Sequence, residues 1–394
     1  MLKFIIMLSK IKSWIKQKSA YYLHLRGMNS PLFNLNYDPN LKQQRVAFVY
    51  LSNLHNSLYE SDKIHHPNVF QHYMLLQTFI NKGFVIDVYN CQSDDVNIKI
   101  ENTNVYDIIF GFGTKYLELC RMNPKAKKIL FITENAPWVV RKKYQERLDY
   151  WKSNHNRMIK TIARNEFYTD EMFKVSDSGV CLSGTYNISG MLEQLKPIEQ
   201  LYVNVLPGVN HFKINKKHDI TKKRFLWFGS RGLIHKGLDI LIDAFTLLPQ
   251  FELDIYGAPE SEIKELNLPA NVHNCGYIKV DSNDFIEKVI SQHSFVLSLS
   301  CSEGMMSGIA TCMMYGLIPI VTLETGYDDC PYAFIFKDWH VDSVKEQIEK
   351  CGTITNDQLE IIEEKVKSYA QITYTNENFK NTFSTILDKL TLNN

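Results

Sequence analysis

Residues Ser298 to Gly326 read SLSCSEGMMSGIATCMMYGLIPIVTLETG. The apolar run Phe295 to Leu299 that leads into them has the pattern of a buried strand. Ser302-Glu303-Gly304 then turns the chain, Ser307 is placed to cap a short helix, and Gly316 closes that helix before a second strand, Ile318 to Val321. The stretch is one βαβ unit whose first strand ends on a carboxylate, Glu303. Open α/β sheets bind ligands at the carboxyl ends of their strands, and a helix starting there offers N–H groups and a positive dipole end to an anion. A phosphorylated guest fits such a turn.

Upstream, the same architecture repeats. Arg224 to Phe228 is a strand running into Gly229-Ser230-Arg231-Gly232-Leu233-Ile234-His235-Lys236-Gly237 and then an amphipathic helix, Leu238 to Leu248. Strands follow at Phe251 to Tyr256 and Val272 to Tyr277, and helices at Glu260 to Glu265 and Asp284 to Gln292. Before this half lies another: strands at Arg45 to Leu51, Val85 to Tyr89, Tyr106 to Phe110, Lys128 to Thr133, Val180 to Ser183 and Tyr202 to Leu206, with helices at Phe70 to Asn81, Val140 to Ala163 and from Ser189. Strands alternating with helices predict parallel, doubly wound sheets in an α/β protein. Pro207-Gly208-Val209-Asn210 and the polar run after it mark the boundary between a first domain, 45–210, and a second, 222–370; a helical tail, 371–394, is expected to pack back on the first.

Size and composition agree. The 394 residues are 45% hydrophobic, enough for two cores, and the formal charge of +1 exerts no general pull on nucleic acid. Eight cysteines lie scattered with no C-x-x-C pair, the pattern of reduced core thiols in a cytoplasmic protein. Residues 1–27 differ from the rest: six basic side chains, no acidic one, and Phe4, Met7, Leu8, Ile11, Trp14 and Ile15 on one helical stripe. That is the pattern of a helix lying on an anionic membrane surface, which would place the protein at the inner face of the membrane; a helix docked on the protein's own surface and a disordered leader are the other readings. Residues 28–44, with Pro31 and Pro39 and no periodicity, read as a linker.

The two turns of the second half together supply the ingredients of a diphosphate site. Arg231 and Lys236 stand on one, and the amides of Gly304, Met305, Met306 and Ser307 on the other. The ordered series GSRGLIHKGLDILIDAF, LDIYG, NVHNCGYI and SLSCSEGMMSGIATCMMYGLIPIV resembles the nucleotide-sugar domain of GT-B glycosyltransferases, particularly the retaining enzymes of family 4. The resemblance is specific over Val205 to Asp329 and architectural over Arg45 to Leu206. It implies two Rossmann-like domains facing a cleft, and transfer of a sugar from a nucleotide diphosphate donor to a glycan or lipid-linked acceptor in cell-surface polysaccharide assembly. No cofactor is implied, the nucleotide sugar being a co-substrate.

The resemblance also assigns roles. Arg231 and Lys236 match the basic pair on the donor diphosphate, with Gly229 and Ser230 in the same turn; Gly276 and Tyr277 stand where backbone meets the nucleobase. Glu303 matches the first carboxylate of a paired-Glu motif. Its second member is Thr311 here, so the usual grip on the ribose is altered. The family's histidine after the YDIIF-type strand is replaced by Gly111-Phe112-Gly113. On the acceptor side the candidates are Glu134, in the turn TENAPW, and His65, His66 and Asn68, in the long loop after the first strand; loop histidines in solvent are the other reading of that pair. No Asp-x-Asp triplet occurs and no cluster has metal-ligand spacing, so no metal site is expected. A sugar-nucleotide epimerase of the same fold and a non-catalytic nucleotide- or partner-binding relative remain alternative readings.

Overall fold

The computed structural model describes residues 32–51, 67–91, 105–156, 158–159, 167–205, 214 and 216–392. The leader 1–27, His65, His66 and the boundary segment 207–210 lie outside them. The strands are β1 Leu32–Leu35, β2 Arg45–Tyr50, β3 Val85–Asn90, β4 Ile108–Gly111, β5 Lys127–Ile132, β6 Ser178–Leu182, β7 Ile198–Leu201, β8 Arg224–Phe228, β9 Glu252–Tyr256, β10 Val272–Gly276, β11 Phe295–Ser298, β12 Ile318–Val321 and β13 Phe334–Ile335. Seven form one sheet in the order β1-β3-β2-β4-β5-β6-β7, and six a second in the order β10-β9-β8-β11-β12-β13. By packing the chain divides into two compact units, Met1–Leu130 and Phe131–Asn394.

In the first unit β2, β3 and β4 are parallel and buried on both faces, which is why they read as continuous apolar runs rather than alternating ones. The Phe48 ring stacks on Phe110 at 5.5 Å, and Phe79 from the Pro67–Asn81 helix meets Phe110 edge-on at 5.3 Å. Each buried ring contributes about 2–3 kcal/mol. The segment read as a linker contains β1, which pairs antiparallel with β3; four residues are too few to show a period. Asp87 anchors it, accepting from the Asn34 N–H at 2.8 Å and pairing with Arg45 at 3.0 Å.

In the second unit β8 to β13 are parallel, in the relative order 3-2-1-4-5-6 of a dinucleotide-type sheet. Phe225 of β8 stacks on Phe295 of β11 at 5.2 Å, with Phe245 and Phe251 edge-on to it. Several sequence boundaries shift. The helix expected from Ser189 precedes that residue, as Thr185–Ser189, and the strand expected at Tyr202 to Leu206 is β7, Ile198–Leu201. The Asp284 to Gln292 helix is a π turn, Phe285–Val289, followed by a 3₁₀ turn, Ile290–Gln292. The tail is two helices, Asn356–Thr373 and Asn376–Leu392, the first opened by a capping box between Thr355 and Gln358. The last helix meets β7 through Lys389 and Glu199, 2.7 Å apart, and Asn376 accepts from Asn204 just beyond that strand at 2.9 Å. All eight cysteines are free; seven are buried and Cys275 is half-buried. No described helix is long and apolar enough to cross a membrane.

Candidate active site

The strand order of the second sheet reverses between β8 and β11: β9 and β10 extend it on one side, β12 and β13 on the other. Loops leaving the carboxyl ends of two such neighbours diverge and leave a crevice between them. The two loops here are Gly229–Gly237 and Leu299–Met306, the two turns the sequence singles out.

They are joined at their bases. The Lys236 ammonium lies 2.7 Å from Glu303 Oε1, both side chains being buried. Ser300 donates its hydroxyl to the same oxygen at 3.2 Å, and His235 Nε2 stands 3.7 Å from it. That His235 nitrogen meets the Ser302 carbonyl, which can only accept, so Nε2 carries the proton and Nδ1 faces Cys301 Sγ at 3.5 Å. A buried carboxylate so supplied with donors is fixed in place, and the lysine with it. Gly237 lets the loops approach so closely. Its φ is +68°, and a Cβ there would lie 2.5 Å from both Cβ and the carbonyl oxygen of Leu299.

Glu262 organises the first loop. Its buried carboxylate accepts from the Gly232 N–H at 3.2 and 3.1 Å and from the Leu233 N–H at 3.0 Å. Those backbone donors are therefore occupied by protein. Arg231 and Ser230, by contrast, are exposed on the same loop, and Gly229 is half-buried.

On the second loop the helix is Ser307–Met313, and Met306 rather than Ser307 holds the N-cap position. Tyr327 takes the place a capping side chain would fill: its hydroxyl donates to the Met306 carbonyl at 2.5 Å and accepts from the Ala310 N–H at 3.0 Å. The Met305 side chain is buried, and its sulfur receives the Val203 N–H at 3.5 Å. Thr311 is half-buried and spends its proton on the Ser307 carbonyl at 2.8 Å, leaving oxygen lone pairs as its remaining polar capacity.

Gly304 brings the TENAPW turn against this loop. A Cβ on Gly304 would stand 2.3 Å from the Thr133 carbonyl oxygen and 2.9 Å from that of Leu182. Glu134, the next residue, is half-buried there. Tyr168 fixes the turn by accepting from the Thr133 N–H and donating to the Phe131 carbonyl, each at 2.9 Å. Asn135 donates to Asn187 at 2.8 Å, and Asn187 in turn donates to the carbonyls of Glu303 and Glu324, each at 3.2 Å. The Pro137–His155 helix adds Lys143, 3.0 Å from Glu324, and Arg147, whose buried guanidinium donates to the Leu299 carbonyl at 2.6 Å.

The structure thus brings together Lys236, Glu303, Gly304 and the backbone beside Glu134. Gly276 and Tyr277 are at the other end of the sheet's first wing, on edge strand β10: Gly276, φ +73°, accepts from Gly257 at 2.8 Å, and the Tyr277 ring is 82% exposed. Asn68 is exposed in the first turn of the Pro67–Asn81 helix in the other unit. Glu262, Asn135, Asn187, Tyr168 and Arg147 escape sequence reading because their partners lie far along the chain: 30 residues from Glu262 to Gly232, 116 from Asn187 to Glu303 and 152 from Arg147 to Leu299. Among the described residues no group of three or more His, Cys, Asp or Glu side chains gathers as for a metal ion.

No family profile matches the sequence, and no curated protein matches it. Solved structures do. Sucrose-phosphate synthase from Thermosynechococcus elongatus aligns over 89% of this chain and 100% of its own at 11% identity, TM-score 0.57. A glycosyltransferase from Rickettsia africae aligns over 90% and 100% at 13% identity, TM-score 0.56. Anabaena HepE, in complex with UDP, aligns over 88% and 100% at 12% identity, TM-score 0.54. The chain spans only 55% of TarM and 57% of a chain of the GtfA/B complex, both matched below a TM-score of 0.5. The two sheets, parallel but for edge strand β1, and these alignments give the fold: two Rossmann-like domains of the GT-B type.

Proposed function

We propose that the chain is a hexosyltransferase of the family 4 type, moving a sugar with retention from a nucleotide diphosphate donor to a glycan or lipid-linked saccharide during cell-surface polysaccharide assembly. The observation that carries the reading is the buried Lys236–Glu303 pair at the switch point of the β8 to β13 sheet. A lysine held by a carboxylate, beside an exposed arginine on the same loop, is suited to a diphosphate leaving group, because its charge is in position before the bond breaks. The nucleobase would lie toward Gly276 and Tyr277, and Thr311 would accept from a ribose hydroxyl.

In this reading the bond from the anomeric carbon to the diphosphate oxygen breaks, and Lys236 and Arg231 stabilise the charge left on the nucleotide diphosphate. The acceptor hydroxyl forms the new bond on the same face of the sugar and gives its proton to the departing diphosphate. Glu134 orients that hydroxyl. Residues 1–27 would hold the protein to the cytoplasmic membrane surface near a lipid-linked acceptor. Fold-level likeness supports sugar transfer without naming the sugar, and the UDP in the HepE structure makes uracil the first base to try.

The test incubates the full chain with a panel of nucleotide sugars, with and without membrane lipid extract, and follows released nucleotide diphosphate. Acceptor-dependent release that falls about 10²–10³-fold in Lys236→Met and Glu303→Gln supports the reading. Donor isomerisation without acceptor would make the protein an epimerase. Binding without turnover would make it a nucleotide-binding relative, and full activity in both variants would remove the site from the mechanism.

A further inference from the structure

A cavity opens beside the Leu238–Thr246 helix, about 350 Å³ in volume, and none of the residues that line it belongs to the site above. Trp151 and His155 from the Pro137–His155 helix form one side, Asp239 and Asp243 another, and Leu266 and Leu268 a third. The volume is at the small end of the range for organic ligands.

Its chemistry is acidic and incompletely compensated. Asp239 is only 2% exposed, yet neither carboxylate oxygen has a hydrogen-bond partner among the described residues. Its own N–H and that of Ile240 are near enough to ease its ionisation but fall short of bonding geometry. The Arg147 guanidinium acts on it through space, since Nη2 is committed to the Leu299 carbonyl and, among the described residues, Nε and Nη1 reach no acceptor. Asp243, one turn on, pairs with His155 at 3.1 Å, and the His155 ring lies flat on Trp151 with centroids 3.8 Å apart. A buried carboxylate without a donor is costly, and one that lines a cavity is relieved by whatever cation enters.

We infer that this cavity binds a small aliphatic diamine, with one ammonium on Asp239, the other on Asp243 and its methylenes against Trp151, Leu266 and Leu268. A naked metal ion is a poorer match. Two aspartates with a histidine already paired to one of them, inside apolar walls, give too few oxygen ligands for a hard cation. The ammonium needs two or three acceptors and gains from the hydrocarbon surface.

Calorimetric titration of the full chain with 1,5-diaminopentane at pH 8 tests this, with magnesium chloride titrated in parallel. Saturable binding of the diamine, weakened about tenfold or more by Asp239→Asn and by Asp243→Asn, is the expected result. Asparagine keeps the size of each side chain, and an unchanged circular-dichroism melt of Asp243→Asn keeps the test independent of folding at Asp239. Below pH 7 the diamine should also release protons on binding, because the carboxyl of Asp239, raised by burial to about 7 and flanked by Asp243, Arg147 and His155, must ionise to hold it. Absence of saturation, binding indifferent to both substitutions, or magnesium binding in place of the diamine would each overturn the inference.

Discussion

Asp239 is where burial and charge conflict most openly. Desolvation raises its carboxyl to about 7, with Arg147 and the neighbouring amides pulling the other way. An unfolded aspartate titrates near 4, so between those values the folded chain holds a proton that the unfolded chain has released. Stability from this group is therefore complete below about pH 4 and is lost as pH rises through about 7. Asp239→Asn, which mimics the protonated form, should match the wild type in urea unfolding at pH 4. At pH 8 it should exceed it by something on the order of a few kcal/mol; equal stability at both pH values would show that the carboxylate is comfortable where it lies. At this scale the sequence discloses residue types and not environments. Lys236 and Glu303 are legible because each stands at a fixed offset from a strand end. Asp239 reads as an ordinary first-turn acid, favourable to the helix dipole, because nothing local says that Trp151 and Leu266 close over it.

At the scale of elements, the loop from Gly229 to Gly237 has the glycines and basic residues of an anion-binding turn, yet its conformation depends on Glu262 from the Glu260–Ile263 helix. Glu262→Ala would strand two buried N–H groups, each costing about 1–3 kcal/mol. A loss of roughly 2–6 kcal/mol in urea unfolding is expected, with faster amide exchange at Gly232 and Leu233, and Glu262→Gln should recover part of both. If exchange at those amides is unchanged in Glu262→Ala, the carboxylate does not hold the loop. The same dependence divides what pattern can and cannot reveal. Long apolar runs such as Phe295 to Ser298 disclose buried strands directly. The four-residue β1 and the π turn at Phe285–Val289 do not, the first for want of length and the second because an apolar helical period survives a π turn. Thr185–Ser189 is placed too late in the chain because five residues carry less than two turns of periodicity.

For the molecule, alternation of strands and helices was enough to foresee two doubly wound sheets, and the 3-2-1-4-5-6 order then brings Lys236 to Glu303 without further instruction. The Asn376–Leu392 helix buries Phe379, Phe383, Leu387 and Leu390, together worth roughly 8 kcal/mol at about 2 kcal/mol each, comparable to the whole stability of many domains. A chain ending at Thr373 should therefore lose its cooperative thermal transition or collect in the insoluble fraction; a melt within a few degrees of the full chain would make the helix an accessory.

The cysteine distribution has a practical corollary. With seven thiols buried, the half-buried Cys275 stands next to Gly276 and Tyr277, and burial raises its thiol so that it reacts slowly at neutral pH. Mildly alkaline alkylation thus provides a native attachment point for an environment-sensitive fluorophore on β10, one residue before Gly276, that needs no engineered residue.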